Sequence, residues 1–222
     1  MTEIRTWRRA GCDISWMYHL WKSSEEERMK KLLADAGYRR NWIAERIERL
    51  LDALGNFAAV QSLSINACRG GENTFVIDDW QGAASRAELL GFLQKTDDVY
   101  LIYIHLILHC EELGPDGERK KLEIKCGGSI QFGIDLDNNG SLNTDDETPM
   151  YFALGLEVDI YAPLSWAECR DNTELATLNG PRLSAFLQRL EHQIPVEFIE
   201  VEASGYTAGR YGFLAVDESE RS

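Results

Sequence analysis

The chain lacks any apolar run long enough to span a bilayer, which excludes a membrane-crossing helix. Behind the charges of M-T-E-I-R-T-W-R-R there is no apolar stretch either, so a secretory leader is not expected. Cysteine is sparse. The five cysteines, at 12, 68, 110, 126 and 169, are odd in number and contain no Cys-x-x-Cys pair. They read as reduced, mostly buried thiols and point to a cytoplasmic setting. Cys110 and Cys126 could face each other across paired strands. Basic residues are short: 23 against 37 acidic ones, a net charge of −14. Such a chain repels nucleic acid and anionic membranes and attracts basic partners. Catalytic signatures are missing as well. There is no His-Glu-x-x-His, no Gly-x-Ser-x-Gly and no kinase set. Gly70-Gly71 beside Arg69 lacks the Lys-Ser/Thr of a phosphate loop. Without repeats or a low-complexity linker, residues 1–222 read as one domain.

What is present organises as α+β. Hydrophobic residues make up 44%, ample for a core. Residues 1–65 read as a helical layer behind an aromatic opening that holds Trp7, Trp16 and Trp21. Ser24 and Glu27 form a capping box for one helix, which Gly37 ends. Asn41 caps a second helix, whose Ile43, Ile47, Leu50, Leu51 and Leu54 share a face. Ser85 and Glu88 open a third, running to about Lys95. From residue 97 the period changes to two. Residues 99–110 are apolar on both faces, as in a central strand. Residues 121–134 and 152–161 alternate. Pro181 suits the first turn of a last helix, ending near His192. The expected architecture is an antiparallel meander of about five to seven strands over residues 97–216. It packs against N-terminal and C-terminal helices.

Between two of those strands lies I-D-L-D-N-N-G-S-L-N-T-D-D-E, residues 134–147. An EF-hand loop needs oxygen ligands at positions one, three, five, seven, nine and twelve, and glycine at six. Counted from Asp135, those ligands are Asp135, Asp137, Asn139, Ser141, Asn143 and Asp146, with Gly140 at six and apolar Leu142 at eight. Over these twelve residues the chain resembles an EF-hand or dockerin-type calcium loop. The resemblance implies Ca²⁺ held by hard oxygens. Asp146 replaces the bidentate glutamate, and Pro149 is incompatible with an exiting helix. A loop joining two strands is therefore the expectation, and a plain Asn/Asp/Gly hairpin explains the same residues.

His105 and His109 fall on one face of one strand, about 13 Å apart and too distant to share a metal. Acidic residues cluster at Glu111-Glu112, at the 135–147 loop, at Glu157 and Asp159, and at Glu197, Glu200 and Glu202. With Tyr161, Trp166 and Trp80 as aromatic anchors, Glu157 and Asp159 form the expected partner-binding set. Acidic, motif-poor and α+β, the chain resembles the immunity proteins of bacterial polymorphic-toxin systems. The resemblance implies a cytosolic protein that binds and neutralises a cognate, basic toxin. The alternatives are a calcium-binding module and a metal-dependent hydrolase using loop carboxylates.

Overall fold

Along residues 14–20, Ile14, Trp16, Tyr18 and Leu20 are buried while Ser15, Met17 and His19 between them are half-exposed. That period of two makes a strand with one face on a core. The computed structural model describes residues 7–68, 71–137, 140–143, 148–165 and 170–214. In chain order the elements are β1 (Arg9–His19), α1 (Glu26–Leu33), α2 (Ala36–Leu54), β2 (Ala58–Ala67), β3 (Gly71–Ile77), α3 (Ala83–Leu93), β4 (Val99–Leu113), β5 (Arg119–Ile134), β6 (Met150–Val158), β7 (Leu164–Ser165), β8 (Arg170–Asp171), α4 (Thr173–Gln193), β9 (Glu197–Ala203), β10 (Ala208–Gly209) and β11 (Gly212–Phe213).

Seven strands form one antiparallel sheet in the order β3-β2-β4-β5-β6-β1-β9, and β7-β8 and β10-β11 are two-residue pairs. The α+β class and the strand number agree with the sequence. One face of the sheet carries Ile14, Trp16, Leu63, Ile65, Ile104, Leu106, Ile130, Phe132, Phe152 and Leu154, all nearly inaccessible. They join Ile43, Ile47 and Leu50 of α2 and Leu183, Phe186 and Leu187 of α4 in a single core. Each such side chain contributes about 1.5–3 kcal/mol by leaving water.

Several boundaries differ from expectation, each for a local reason. The aromatic opening is a strand, inserted between β6 and β9. Gly37 does not end a helix: Asp35 caps α2 by accepting the Tyr38 N–H at 3.0 Å, and Asn41 lies inside it. The Ser24–Glu27 capping box does not open α1, which starts at Glu26 with Glu25 at its N-cap and no side-chain capping bond; just before it, the Ser23 N–H donates to the Glu197 carboxylate of β9 at 2.5 Å. Ser85 lies within α3, and its hydroxyl accepts the Gln81 N–H at 2.9 Å. Residues 58–67, most of which fall in the expected helical layer, are a full strand with Leu63 and Ile65 inward. Helix α4 starts eight residues before Pro181 and passes through it. Both Pro181 and Thr177, whose carbonyl that proline leaves without a helical donor, are exposed, so the interruption lies on the solvent side of the helix. Cys110 and Cys126 do not bridge: Cys110 is buried, and Cys126 is exposed on a bulge at φ +47°.

Candidate functional site

Between β5 and β6 the loop folds back on itself. The Asp135 N–H donates to the Pro149 carbonyl at 2.7 Å, the Asp137 N–H to Ser141 O at 2.7 Å and the Asn143 N–H to Asp135 O at 2.9 Å. Leu136 bridges to Leu142. Gly140 sits at φ +77°, the left-handed conformation a glycine takes without strain. Leu142 is buried in the core. Of the six expected ligands the structure places Asp135, Asp137, Ser141 and Asn143; Asn139 and Asp146 lie outside the described residues. The two placed carboxylates are satisfied within the loop. Asp135 Oδ2 accepts from Asn143 Nδ2 at 2.7 Å, and Asp137 Oδ1 accepts the Ser141 N–H at 2.9 Å. Among the described residues no three His, Cys, Asp or Glu side chains gather to hold a metal.

The loop is pinned from beneath. Arg39, 3% exposed, donates to Gly140 O at 2.8 Å, to Leu33 O at 2.8 Å and twice to Asp97 O at 3.2 and 2.7 Å. Burial pulls this guanidinium below its ordinary pKa, against the nearby Asp98 carboxylate.

The sheet face opposite the helices is where side chains converge without being consumed by packing. Pairing aligns them in rows. Met17, Ala153, Gln131, Tyr103 and Ser64 form one row across β1, β6, β5, β4 and β2. Ser15, Gly155, Ser129, His105 and Ser62 form the next. The small residues at the centre leave a recess of about 440 Å³ whose lining includes Met17, Tyr103, Ser129, Gln131, Tyr151 and Ala153. Tyr151 lies across its strand partner Gly133 so closely that a Cβ there would stand 2.2 Å from the ring. The rim is acidic. Glu157 and Glu202 border the recess, Glu200 lies beside them on β9, and among the described residues the lining holds no lysine or arginine. None of the three glutamates makes an ion pair or hydrogen bond with another described residue.

Of the expected partner-binding residues, Glu157 is on this face and exposed. Asp159 and Tyr161 are corrections: they are 2% and 1% exposed. Strand β6 ends at Val158, so the alternation that would have turned them outward stops there. Asp159 instead accepts the Arg8 N–H at 2.9 Å and pairs with the Arg170 guanidinium. Tyr161 packs on Phe57, with its hydroxyl 3.3 Å from the Cys110 sulfur. Burial raises the pKa of both groups, the thiol to about 11. Trp166 lies outside the described residues. Trp80 is half-buried in a second recess of about 610 Å³ between α2, β2 and α3, where the charges, Arg86 and Asp52, are paired at 2.7 Å. His105 faces Ser62 and Ser129 and packs edge-on to Tyr103, while His109 faces Glu123; neither is in register with Glu157 or Asp159.

Sequence reading missed Ser15, Met17, Tyr103, Ser129, Gln131 and Tyr151. Their signal is the outward half of each strand's alternation, visible only once strand order is known. In comparisons with known proteins the chain matches no family model, no curated protein and no solved structure. No helix among the described residues is long and apolar enough to cross a membrane.

Proposed function

We propose that this protein is a binding protein of the immunity type, which captures a basic protein toxin on the open face of its sheet and neutralises it. The observation that carries this reading is the recess on that face, rimmed by Glu157 and Glu202 with Glu200 beside them on β9, none of which has an ion partner among the described residues. A structural salt bridge would have used such charges. Left open, they set up a negative field that steers a positive partner and raises its on-rate. The sheet beneath is fixed by pairing on both sides, so the face is pre-organised and loses little entropy on binding.

The test is coexpression with the products of genes adjacent to its own. The expected result is relief of toxicity by one basic neighbour, and a stoichiometric complex with it on size exclusion. Combined Glu200→Lys and Glu202→Lys should slow association at least tenfold at low salt. A complex whose association rate is unchanged by these reversals and by Glu157→Lys binds elsewhere, and the reading is then wrong.

A second reading is a calcium module. It is supported by Gly140 at positive φ in the sixth loop position and buried Leu142 in the eighth. Chelator-treated protein should then melt at higher temperature in millimolar Ca²⁺, through preferential binding to the native state. Asp135→Ala should remove the effect. No shift in melting leaves the loop a self-bonded hairpin.

A further inference from the structure

We infer that the recess on the open sheet face receives an arginine side chain of the protein partner. This rests on the binding reading above and names the anchor. The charge argument comes first: two carboxylates, Glu157 and Glu202, border a recess with no cation among its described lining residues. The second argument is the kind of group that fits. Gln131, Ser129 and Ser15 supply neutral oxygens along the floor, and two tyrosines, Tyr103 and Tyr151, stand on strands either side of β5. Two strand spacings, about 9.5 Å, separate those strands. A planar guanidinium stacks on a phenol ring and donates in several directions at once, whereas an ammonium is a point charge with a tightly held water shell. The volume, about 440 Å³, has room for a guanidinium and its aliphatic stem.

Alternatives elsewhere carry less. The recess at Trp80 has its charges paired. The Cys126 bulge is strained but has its N–H bound by Gln61 at 2.8 Å. The 135–143 loop satisfies its own carboxylates.

The experiment is a titration of the whole chain at 0.15 M salt, followed by amide chemical shifts, with N-acetyl-arginine amide, its lysine counterpart and the neutral isostere N-acetyl-citrulline amide. The expected result is saturable shifts at Ser129, Gln131, Ala153 and Gly155 with arginine. Lysine should bind at least threefold more weakly, and citrulline should leave those amides unmoved. The double variant Glu157→Gln, Glu202→Gln should weaken arginine binding about tenfold. Ala153→Leu, which fills the recess at constant charge, should abolish it, and melting curves check that both variants remain folded. Equal binding of citrulline or lysine, shifts scattered over other acidic surfaces, or full binding by Ala153→Leu overturns the inference. If the toxin complex forms through Glu200 and Glu202 while arginine amide leaves the recess untouched, the anchor is wrong and the binding face stands. If arginine amide binds and no neighbouring gene product does, the immunity reading fails and the recess remains a guanidinium site.

Discussion

Arg39→Met should destabilise this protein by about 3 kcal/mol, and the structure says why. The Arg39 guanidinium serves three carbonyls from three separate segments: Leu33 at the end of α1, Asp97 before β4, and Gly140 in the 135–143 loop. Methionine fills most of the stem's volume and removes every donor. The carbonyl of fully buried Leu33 then loses its charged partner at about 1–3 kcal/mol. Asp97 and Gly140 are half-exposed and can recruit water, so each costs about 0.5–1.5 kcal/mol. Offsetting this, the variant no longer desolvates a charge, which brings the total into the lower half of the range, to about 3 kcal/mol. For a chain of this length that is a fall of roughly 6–12 °C in melting temperature. Urea denaturation should show a lower midpoint at unchanged slope. Native-state exchange should also speed up at the Gly140 and Asn143 amides, whose acceptors are Asp137 O and Asp135 O in the released loop. Arg39→Lys should recover only part of the loss, because one ammonium cannot span all three carbonyls. A loss under about 1 kcal/mol for Arg39→Met, or loop exchange no faster than wild type, would refute the account.

Gly133→Ala should cost about 1–3 kcal/mol, since the new Cβ displaces the Tyr151 ring, and should cost little in a Tyr151→Ala background. A double-mutant cycle in urea reads the difference, and simple additivity would contradict it. Glu197 is held below the usual carboxylate range by the Ser23 hydroxyl and N–H that donate to it. Its stabilisation is present above the unfolded value near ~4.3 and disappears as pH falls through the lower folded value. Glu197→Gln should therefore flatten the acid limb of stability against pH, and superimposable limbs would rule this out. Burial raises the Cys110 thiol to about 11. Its contribution is intact below the unfolded value of ~8.5 and erodes as pH rises toward and through that raised value. Cys110→Val should be less sensitive to alkali in urea midpoints between pH 8 and 11.

The inward half of this fold is legible in the sequence because each strand writes it locally. Leu154, Leu156 and Val158, or Ile102, Ile104 and Leu106, need only a period of two to declare themselves. Helix ends are less legible because tertiary partners take over the capping. Asp35 displaces the expected Asn41 cap, Glu197 arrives from 174 residues away to bind the Ser23 N–H, and Arg189 of α4 donates to Ala53 O at the end of α2. Strand β1 is less legible: Ile14, Trp16, Tyr18 and Leu20 alternate, but Trp7 and Trp21 fall out of phase with Trp16 and blur the period. With β1 unplaced, the open face could not be assembled, because β1 joins β6 to β9 across roughly 140 and 180 residues of sequence. Asp159 and Tyr161 illustrate the opposite error, a strand pattern extended past the residue where the chain turns inward.

The glutamates of the open face admit one competing explanation, and the topology separates it from binding. Strand β9 is an edge of the sheet, and charged side chains on an edge discourage pairing with another chain. Glu200 and Glu202 fit that role unaided. Glu157 does not, because it extends from β6, which is paired on both sides by β5 and β1. An edge-protecting charge has no reason to be there. Sheet stability gives no reason either, since Glu157 is exposed and makes no ion pair among the described residues. The two roles therefore diverge under substitution. Glu200→Gln with Glu202→Gln should lower both solubility and the rate of partner capture. Glu157→Gln should lower capture alone, leaving melting temperature and solubility where they were. If Glu157→Gln instead alters aggregation and spares capture, the acidic face is a guard against self-association, and the partner must be sought on another surface.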